Sequence, residues 1–402
     1  MTIQGWRTAT VVLICGGIVL SLSIGIRQSF GLFLAPMSTD LGWGREVFAF
    51  AIAVQNILWG ATQPFFGMAA DRWGGGRILA VSGAFYVLGL YLMSTTAGVA
   101  EFNISAGILI GLALSGTSFA VVLGAVGRAF PPEKRSAALG IASAGGSFGQ
   151  FVMVPLGQAA IDAYGWSLTF VLLACLAALM VALAAPLAGK PRVAVDAGGA
   201  QSMGEALAEA RRHPGFLYLN AGFFVCGFHI TFIGTHLPAY LTDLGLSATA
   251  ASVSLALVGL FNIVGSLACG VAGGRYSKKY LLSGVYLARS VIILAFLLAP
   301  ASNLSAYLFG AGMGLLWLGT VPLTSALVAQ IFGPRYMSTL FGIVFFSHQV
   351  GAFLGVWLGG RIYDTTGSYD MVWWIAIALG LLAAALHLPI NERPVPRLRP
   401  AL

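Results

Sequence analysis

The chain has 402 residues, 58% of them hydrophobic and 8% charged, and its mean hydropathy is +0.89. A water-soluble domain carries about 25% charged residues, so the composition excludes an aqueous surround and implies a lipid bilayer. The net charge of +8 does not indicate a nucleic-acid partner, because the basic residues sort by side of the membrane.

Apolar stretches of at least 18 residues, separated by short polar runs, predict twelve membrane helices. They span 9–37, 46–70, 78–96, 100–128, 136–163, 167–188, 215–242, 249–273, 280–300, 303–331, 337–362 and 370–389, numbered below as segments 1 to 12. Their length and lack of two-residue alternation exclude outer-membrane strands. Residues 1–8, MTIQGWRT, hold no small-residue cleavage site, so segment 1 is expected to be retained.

Segment 1 carries Arg27 inside the apolar run SIGIRQSFGLFL (23–34). Segment 2 sets Asn56, Trp59 and Gln63 at i, i+3 and i+7, hence on one face, which suits a polar cavity or helix-to-helix hydrogen bonds. The loop after it reads GMAADRWGGGR (67–77), and the end of segment 4 with the start of segment 5 reads RAFPPEKRSAALGIASAGGSFG (128–149). Small residues in the latter, among them Gly145 and Gly149, allow close helix approach. A polar stretch with a possible EALAEARR surface helix then links two sets of six segments, giving bundles over 1–189 and 214–402 and a linker over 190–213.

Segment 7 places His229 and His236 seven residues apart on one face, and segment 8 carries Asn262. Arg289 lies about ten residues into segment 9, roughly 15 Å deep at 1.5 Å per residue. Segment 10 offers Trp317, and segment 11 holds His348 and Gln349 within SHQ (347–349). The histidines fit either satisfied core positions or groups that hydrogen-bond a carboxylate or take up a proton. No Cys or acid accompanies them in a zinc-like pattern, so no metal and no cofactor is expected. The four cysteines lie singly in apolar segments and read as small buried hydrophobes.

Of 21 Lys and Arg residues, 17 fall in the even-numbered loops and the termini. Only Arg45 and Arg361 fall on the opposite side, and Arg27 and Arg289 lie inside segments. The positive-inside rule then puts both termini in the cytoplasm, with a cell inner membrane as the expected location. Every acidic residue sits at a segment end or in a loop. A charge at the bilayer centre costs ~2.5–3.5 kcal/mol or more, so the embedded arginines need carbonyls, water or an incoming anion.

The halves repeat at an offset of 203 residues: Asp40-Leu41-Gly42 returns as Asp243-Leu244-Gly245, and Gly67 with Arg72 as Gly270 with Arg275. At 202, Gly140, Gly149, Asp162 and Gly165 return as Gly342, Gly351, Asp364 and Gly367. Trp59 and Gln63 map onto Asn262 and Ser266. Internal repetition of this kind suits two bundles that rock about a shared site.

Gly67 to Arg77 resembles the G-x-x-x-D-R-x-G-x-[RK]-[RK] signature of the major facilitator superfamily, with a weaker copy at Gly270 to Lys279 that has Gly274 in place of the acid. The resemblance implies an all-α membrane fold of two six-helix bundles. It also implies that Gly67, Asp71, Arg72 and Arg77 latch the cytoplasmic ends; an ordinary solvated ion pair is the alternative. The 128–149 run is similar to the monocarboxylate porter pattern, and Arg27 falls where that group carries an embedded lysine. Mammalian members of the group are expected to carry Asp and Arg in segment 8, where this chain has Asn262 and Ser266.

The expected function is a non-enzymatic secondary transporter, a monomer in the bilayer, for a small organic anion such as a monocarboxylate, with possible use of protons. Arg27 would bind the carboxylate, with Asn56, Trp59, Gln63, His229, His236, Asn262, Trp317, His348 and Gln349 lining the cavity. Arg289 would be an interhelical brace or a second anion contact. The alternatives are an efflux transporter of amphipathic compounds and a non-transporting sensor.

Overall fold

The structure, a computed structural model, describes residues 7–188, 201–333 and 336–398, except for the side chains of Asp71, Pro132, Glu133, Arg135, Ser136, Ala137 and Ser338. Residues 190–200 of the expected linker therefore lie outside the described residues, as does the side chain of Asp71. The described chain is almost wholly helical.

Segment 1 runs Ala9–Gln28 and continues through a tight turn at Phe30–Phe33 into Leu34–Leu41, past its expected end. Segment 2 is Arg45–Trp73 and segment 3 Gly75–Ser94. Segment 4 is built from pieces, Val99–Phe102, a wide turn Asn103–Leu109, Ile110–Thr117 and Phe119–Ala129. Segments 5 and 6 form one run, Pro132–Leu183, whose path breaks at Gly165 (φ 76°, ψ 170°), where only glycine fits comfortably. A short helix Met203–Arg212 precedes segment 7, Pro214–Asp243. Segments 8 and 9 are Ala248–Arg275 and Lys278–Leu298. Segment 10 is split into Asn303–Leu316 and Thr320–Phe332, and segments 11 and 12 are Met337–Thr366 and Asp370–His387. Ten described stretches are long and apolar enough to span a bilayer; one of them covers segments 5 and 6, and segment 2 is not among them. The polar side chains that segment 2 exposes to its neighbours, Gln55, Asn56, Thr62 and Gln63, account for that shortfall. Counted by their turns, the helices make twelve spans, as two bundles of six.

Each bundle has its own apolar core, one built on Phe33, Phe48, Tyr86, Phe102 and Phe170, the other on Phe223, Phe232, Tyr286, Trp317 and Trp373. Small residues set the helix spacing inside each. A Cβ on Gly149 of segment 5 would strike the backbone of Ser21 in segment 1, and one on its repeat mate Gly351 would strike Phe224 in segment 7. Ser21 Oγ adds a bond to Gly145 O at 2.7 Å. Cys226 is buried, but Cys175 stands on the outer surface, so the expectation of four buried cysteines holds only in part.

Two seams join the bundles. Segment 2 packs along segment 11, and segment 5 along segment 8, where Gln150 Nε2 donates to Leu255 O at 3.1 Å. At the end of the molecule that bears Arg45, the 2/11 seam is closed by ions. Arg45 grips Asp243 through both guanidinium nitrogens (2.6 and 2.7 Å), lies 3.7 Å over the ring of Tyr363, and donates to Tyr369 Oη at 3.0 Å. Asp364 accepts the backbone N–H groups of Arg45 and Glu46 at the start of segment 2, where the helix dipole favours a carboxylate. Glu46 in turn accepts from Arg361 and Trp357. At the other end, marked by Arg72, the same four segments expose Phe65, Phe148, Leu267 and Phe346, and the repeat-related Gly67, Gly140, Gly270 and Gly342 face open space. The molecule is thus shut at the Arg45 end and splayed at the Arg72 end.

Candidate functional site

The expected site residues divide into those that meet at the seam and those that do not. Arg27 keeps 7% of its surface exposed, and its Nη2 donates to Asn56 Oδ1 at 3.3 Å. Asn56 is oriented for this, since its amide nitrogen is spent on Ile52 O one turn back (2.7 Å). Arg27 Nε is buried without a partner, and no carboxylate bonds this guanidinium among the described residues. Tyr86 stands beside it, fixed by a 2.8 Å bond from its hydroxyl to Ser23 O.

Segment 2 carries the contact chain across to the other bundle. One turn beyond Asn56, Trp59 meets Phe345 edge to face (5.8 Å), and Gly60 is covered by the side chain of Gln349. Gln349 Oε1 accepts from His348 Nδ1 at 3.0 Å, and the His348 ring stacks on Phe345 with planes 7° apart. Gln349 Nε2 and Gln63 Oε1 are buried and unpartnered. Arg27 with Asn56, and Trp59 with Phe345, His348 and Gln349, are thus two contact groups that share segment 2, with hydrogen-bonding capacity unspent at Arg27, Gln63 and Gln349. Buried polar atoms are seldom left unpaired, and their clustering marks a place built to receive a polar partner.

The remaining expected residues lie elsewhere. His229 is fully buried against segment 12, where its Nε2 donates to Ala376 O at 2.7 Å. His236 spends both nitrogens, Nε2 on Val356 O (2.8 Å) and Nδ1 on the hydroxyl of Tyr369 (3.0 Å), which places it behind the Arg45 closure. Trp317 is fully buried in the second core. Asn262 sits on the 5/8 seam: its Nδ2 donates to Ser147 Oγ at 2.8 Å, and its Oδ1 accepts from the backbone of Leu318 at 2.9 Å.

Arg289 is fully buried, and its Nη2 and Nε donate to the carbonyl of Leu316 at 2.6 and 3.2 Å; Nη2 also donates to Trp317 O. These are the carbonyls released where segment 10 breaks, so a cation sits at the negative end of a half-helix. Of the latch residues, Arg72 and Arg77 are exposed, and Gly67 faces open space. Among the described residues no group of three or more metal-ligand side chains occurs.

Sequence reasoning missed three sets of residues. Tyr86 is the repeat mate of Arg289, so the two bundles exchange a phenol for a guanidinium at one position. Ser118 accepts from Trp59 Nε1 at 3.0 Å, at a break in segment 4. The Arg45 closure had a signal in the charge map: Arg45 and Arg361 are the two basic residues on an otherwise depleted side, and both pair across the seam.

The family model described as Major Facilitator Superfamily matches residues 13–323. The chain is 25% identical over 370 residues to the uncharacterized MFS-type transporter YcxA of Bacillus subtilis (strain 168), covering 90% of each chain. It is 26% identical over 395 residues to monocarboxylate transporter 4 of Rattus norvegicus, covering 92% of this chain and 80% of that one. A solved structure of a bacterial homolog of the human lysosomal transporter Spinster, inward-facing and occupied, superposes with a TM-score of 0.77 at 14% identity, covering 96% of this chain and 98% of that one. With a family model spanning most of its length and the twelve-helix, two-bundle fold in place, this chain belongs to the major facilitator superfamily.

Proposed function

We propose that this protein is a secondary transporter that moves a small organic anion, a monocarboxylate, by alternating access, with Arg27 binding the carboxylate. The observation that carries the reading is Arg27 itself: a buried guanidinium of segment 1 with one neutral partner, an unpartnered Nε and, among the described residues, no acid bonded to it. A buried charge without a counter-ion is costly, and a guanidinium presents a planar fork of donors that suits a carboxylate. The monocarboxylate transporters among the relatives support the substrate class. The absence of embedded acids from the segments weighs against a cationic cargo.

The charge map supports an inner-membrane orientation with the Arg72 end in the cytoplasm. On that reading the structure is an inward-open state, and the loop of Gly67, Asp71, Arg72 and Arg77 is the contact that closes the cytoplasmic end in the opposite state. The bundles over 1–189 and 214–402 are the two rocking units, and one chain suffices.

The test is a thermal-shift screen of pyruvate, L-lactate, acetate and oxalate on purified protein, repeated on Arg27→Ala and Arg27→Lys. A carboxylate that raises the Tm of the wild type, does not stabilise Arg27→Ala and stabilises Arg27→Lys weakly is the expected result. Equal shifts in all three proteins would make Arg27 a structural residue, and stabilisation by cationic dyes alone would favour efflux.

A further inference from the structure

We propose that His348 is the proton-binding group of this protein, set directly behind the bundle seam so that proton and anion are taken up together. Only its coupling role rests on the organic-anion reading. The four histidines within or at the end of the spanning segments differ in what they can do. His229, His236 and His387 are fully buried, while His348 keeps 8% exposure. His236 has no spare nitrogen. His229 and His387 donate to carbonyls of segment 12 and lie inside the second bundle. The His348 ring packs on Phe223 and Cys226 of segment 7, directly behind the seam, where its helix neighbours Gln349 and Phe345 meet Gly60 and Trp59 of segment 2. A coupling site must meet water from each side in turn, and the seam is where alternating access brings it.

The hydrogen bonding prepares the ring. The amide oxygen of Gln349 can only accept, so His348 Nδ1 carries the hydrogen and Nε2 is the basic nitrogen. A proton from water adds to Nε2, gives an imidazolium, and leaves from the same nitrogen on release; no other bond changes. The groups around the ring are Phe223 and Cys226 from segment 7, Arg289 and Tyr286 from segment 9 behind Cys226, and Phe345 from its own helix. Across the seam stands Arg27, held by Asn56 one turn of segment 2, about 6 Å along the axis, from Gly60.

No carboxylate pairs with these groups among the described residues. Arg289 and a protonated His348 would both bear on Cys226, two positive charges without an acid. A carboxylate brought to the neighbouring seam relieves that repulsion, so the anion raises proton affinity and, by reciprocity, the proton raises anion affinity.

Two measurements decide this. In protein with isotope-labelled histidine, one ring signal, absent from His348→Gln, should move with pH, and saturating pyruvate should shift that movement to higher pH. Gln349→Leu, which removes the acceptor fixing the tautomer, should displace the same signal. In proteoliposomes, pyruvate accumulation driven by a pH gradient, divided by each protein's own pyruvate exchange rate at equal pH, should fall at least tenfold in His348→Gln. A His348 signal that stays flat, or an unchanged ratio, overturns the proposal. If the wild type neither binds nor exchanges pyruvate or the other acids of the screen, the organic-anion reading fails, while the ligand-free titration still decides whether His348 takes up a proton.

Discussion

Arg27 and Arg289 are both guanidiniums inside the bilayer, yet they are held in opposite ways. Arg289 spends Nε and Nη2 on the carbonyls of Leu316 and Trp317, which makes it a brace for broken segment 10, although its Nη1 is buried without a partner. Arg27 has one amide oxygen and an unspent Nε. Arg289→Met should therefore leave those carbonyls unpaired at ~1–3 kcal/mol, seen as a lower Tm, while the Kd for any carboxylate found by the screen stays within about twofold. A Kd loss equal to that of Arg27→Lys would instead make Arg289 part of the site. The sequence showed both charges and left the choice open for Arg289, because its partners exist only where the helix breaks. That break, at Trp317 to Gly319, is marked in the sequence only by Gly319 and by Pro322 in the first turn of the following helix. The histidines were blurred for a related reason: a seven-residue spacing puts His229 and His236 on one face, but which neighbour that face meets is a matter of packing.

At the scale of elements, segments 2 and 8 hold the breaks of segments 4 and 10. Trp59 donates to Ser118, and its repeat mate Asn262 accepts from the backbone of Leu318. The polar stripe that sequence reading offered as cavity or interhelical bonding is thus divided: Asn56 bonds Arg27 inside the first bundle, Trp59 bonds Ser118 and meets Phe345 across the 2/11 seam, and Asn262 spans the 5/8 seam while holding the Leu318 backbone. Asn262→Leu should leave the Leu318 N–H and Ser147 without partners and lower stability by ~1–3 kcal/mol, checked by thermal unfolding in detergent beside Asn262→Asp. A Tm unchanged in the Leu variant would mean that the seam repacks without these bonds. Gly149→Leu should be harsher, because its Cβ meets backbone of segment 1 rather than a movable side chain; loss of the folded monomer peak on size exclusion is the expected outcome.

The helix Met203–Arg212 makes a pH-dependent element outside the bilayer. Its capping box joins Ser202 and Glu205, and the bonds from the Ser202 backbone and side chain hold the Glu205 carboxyl below its usual value. A depressed folded-state value means stabilisation that is present above the ordinary glutamate range, about 4.3, and lost as pH falls through the folded value. Amide exchange over 203–212, corrected for intrinsic rates, should then accelerate in acid relative to segment 7, and Ser202→Ala should show the faster exchange already at neutral pH. Protection that is insensitive to both changes would assign the order of this helix to its buried Ala206 and Ala210 alone.

The whole molecule is pseudo-symmetric in sequence but closed unevenly. Asp243 at the end of segment 7 and Asp364 of segment 11 clasp the start of segment 2, whereas their repeat mates Asp40 and Asp162 are spent within the first bundle on Trp166 and Gln158. On the other side the Arg45 end keeps a crevice of about 440 Å³ between segments 1, 5, 7 and 8, with Asp40, Gln158 and Thr242 on its wall. The repeat, the twelve spans and the charge asymmetry were legible because they are properties of one strand of text; the unequal use of matching acids was not, because it depends on which bundle faces which. If one seam carries the lock, a single substitution should release it. Charge-assisted bonds of this kind are worth ~1.5–3 kcal/mol, and each 1.4 kcal/mol is about tenfold in population, so Arg45→Ala should raise the fraction open at this end by roughly tenfold or more. Spin labels at the exposed Thr39 and Thr366 should report it as a new long-distance component. Arg45→Asp combined with Asp243→Arg should recover part of the closed population, and less than all of it, since the stacking of Arg45 on Tyr363 is lost. A distance distribution unchanged in Arg45→Ala would show that apolar packing along segments 2 and 11 keeps this end shut without the ions.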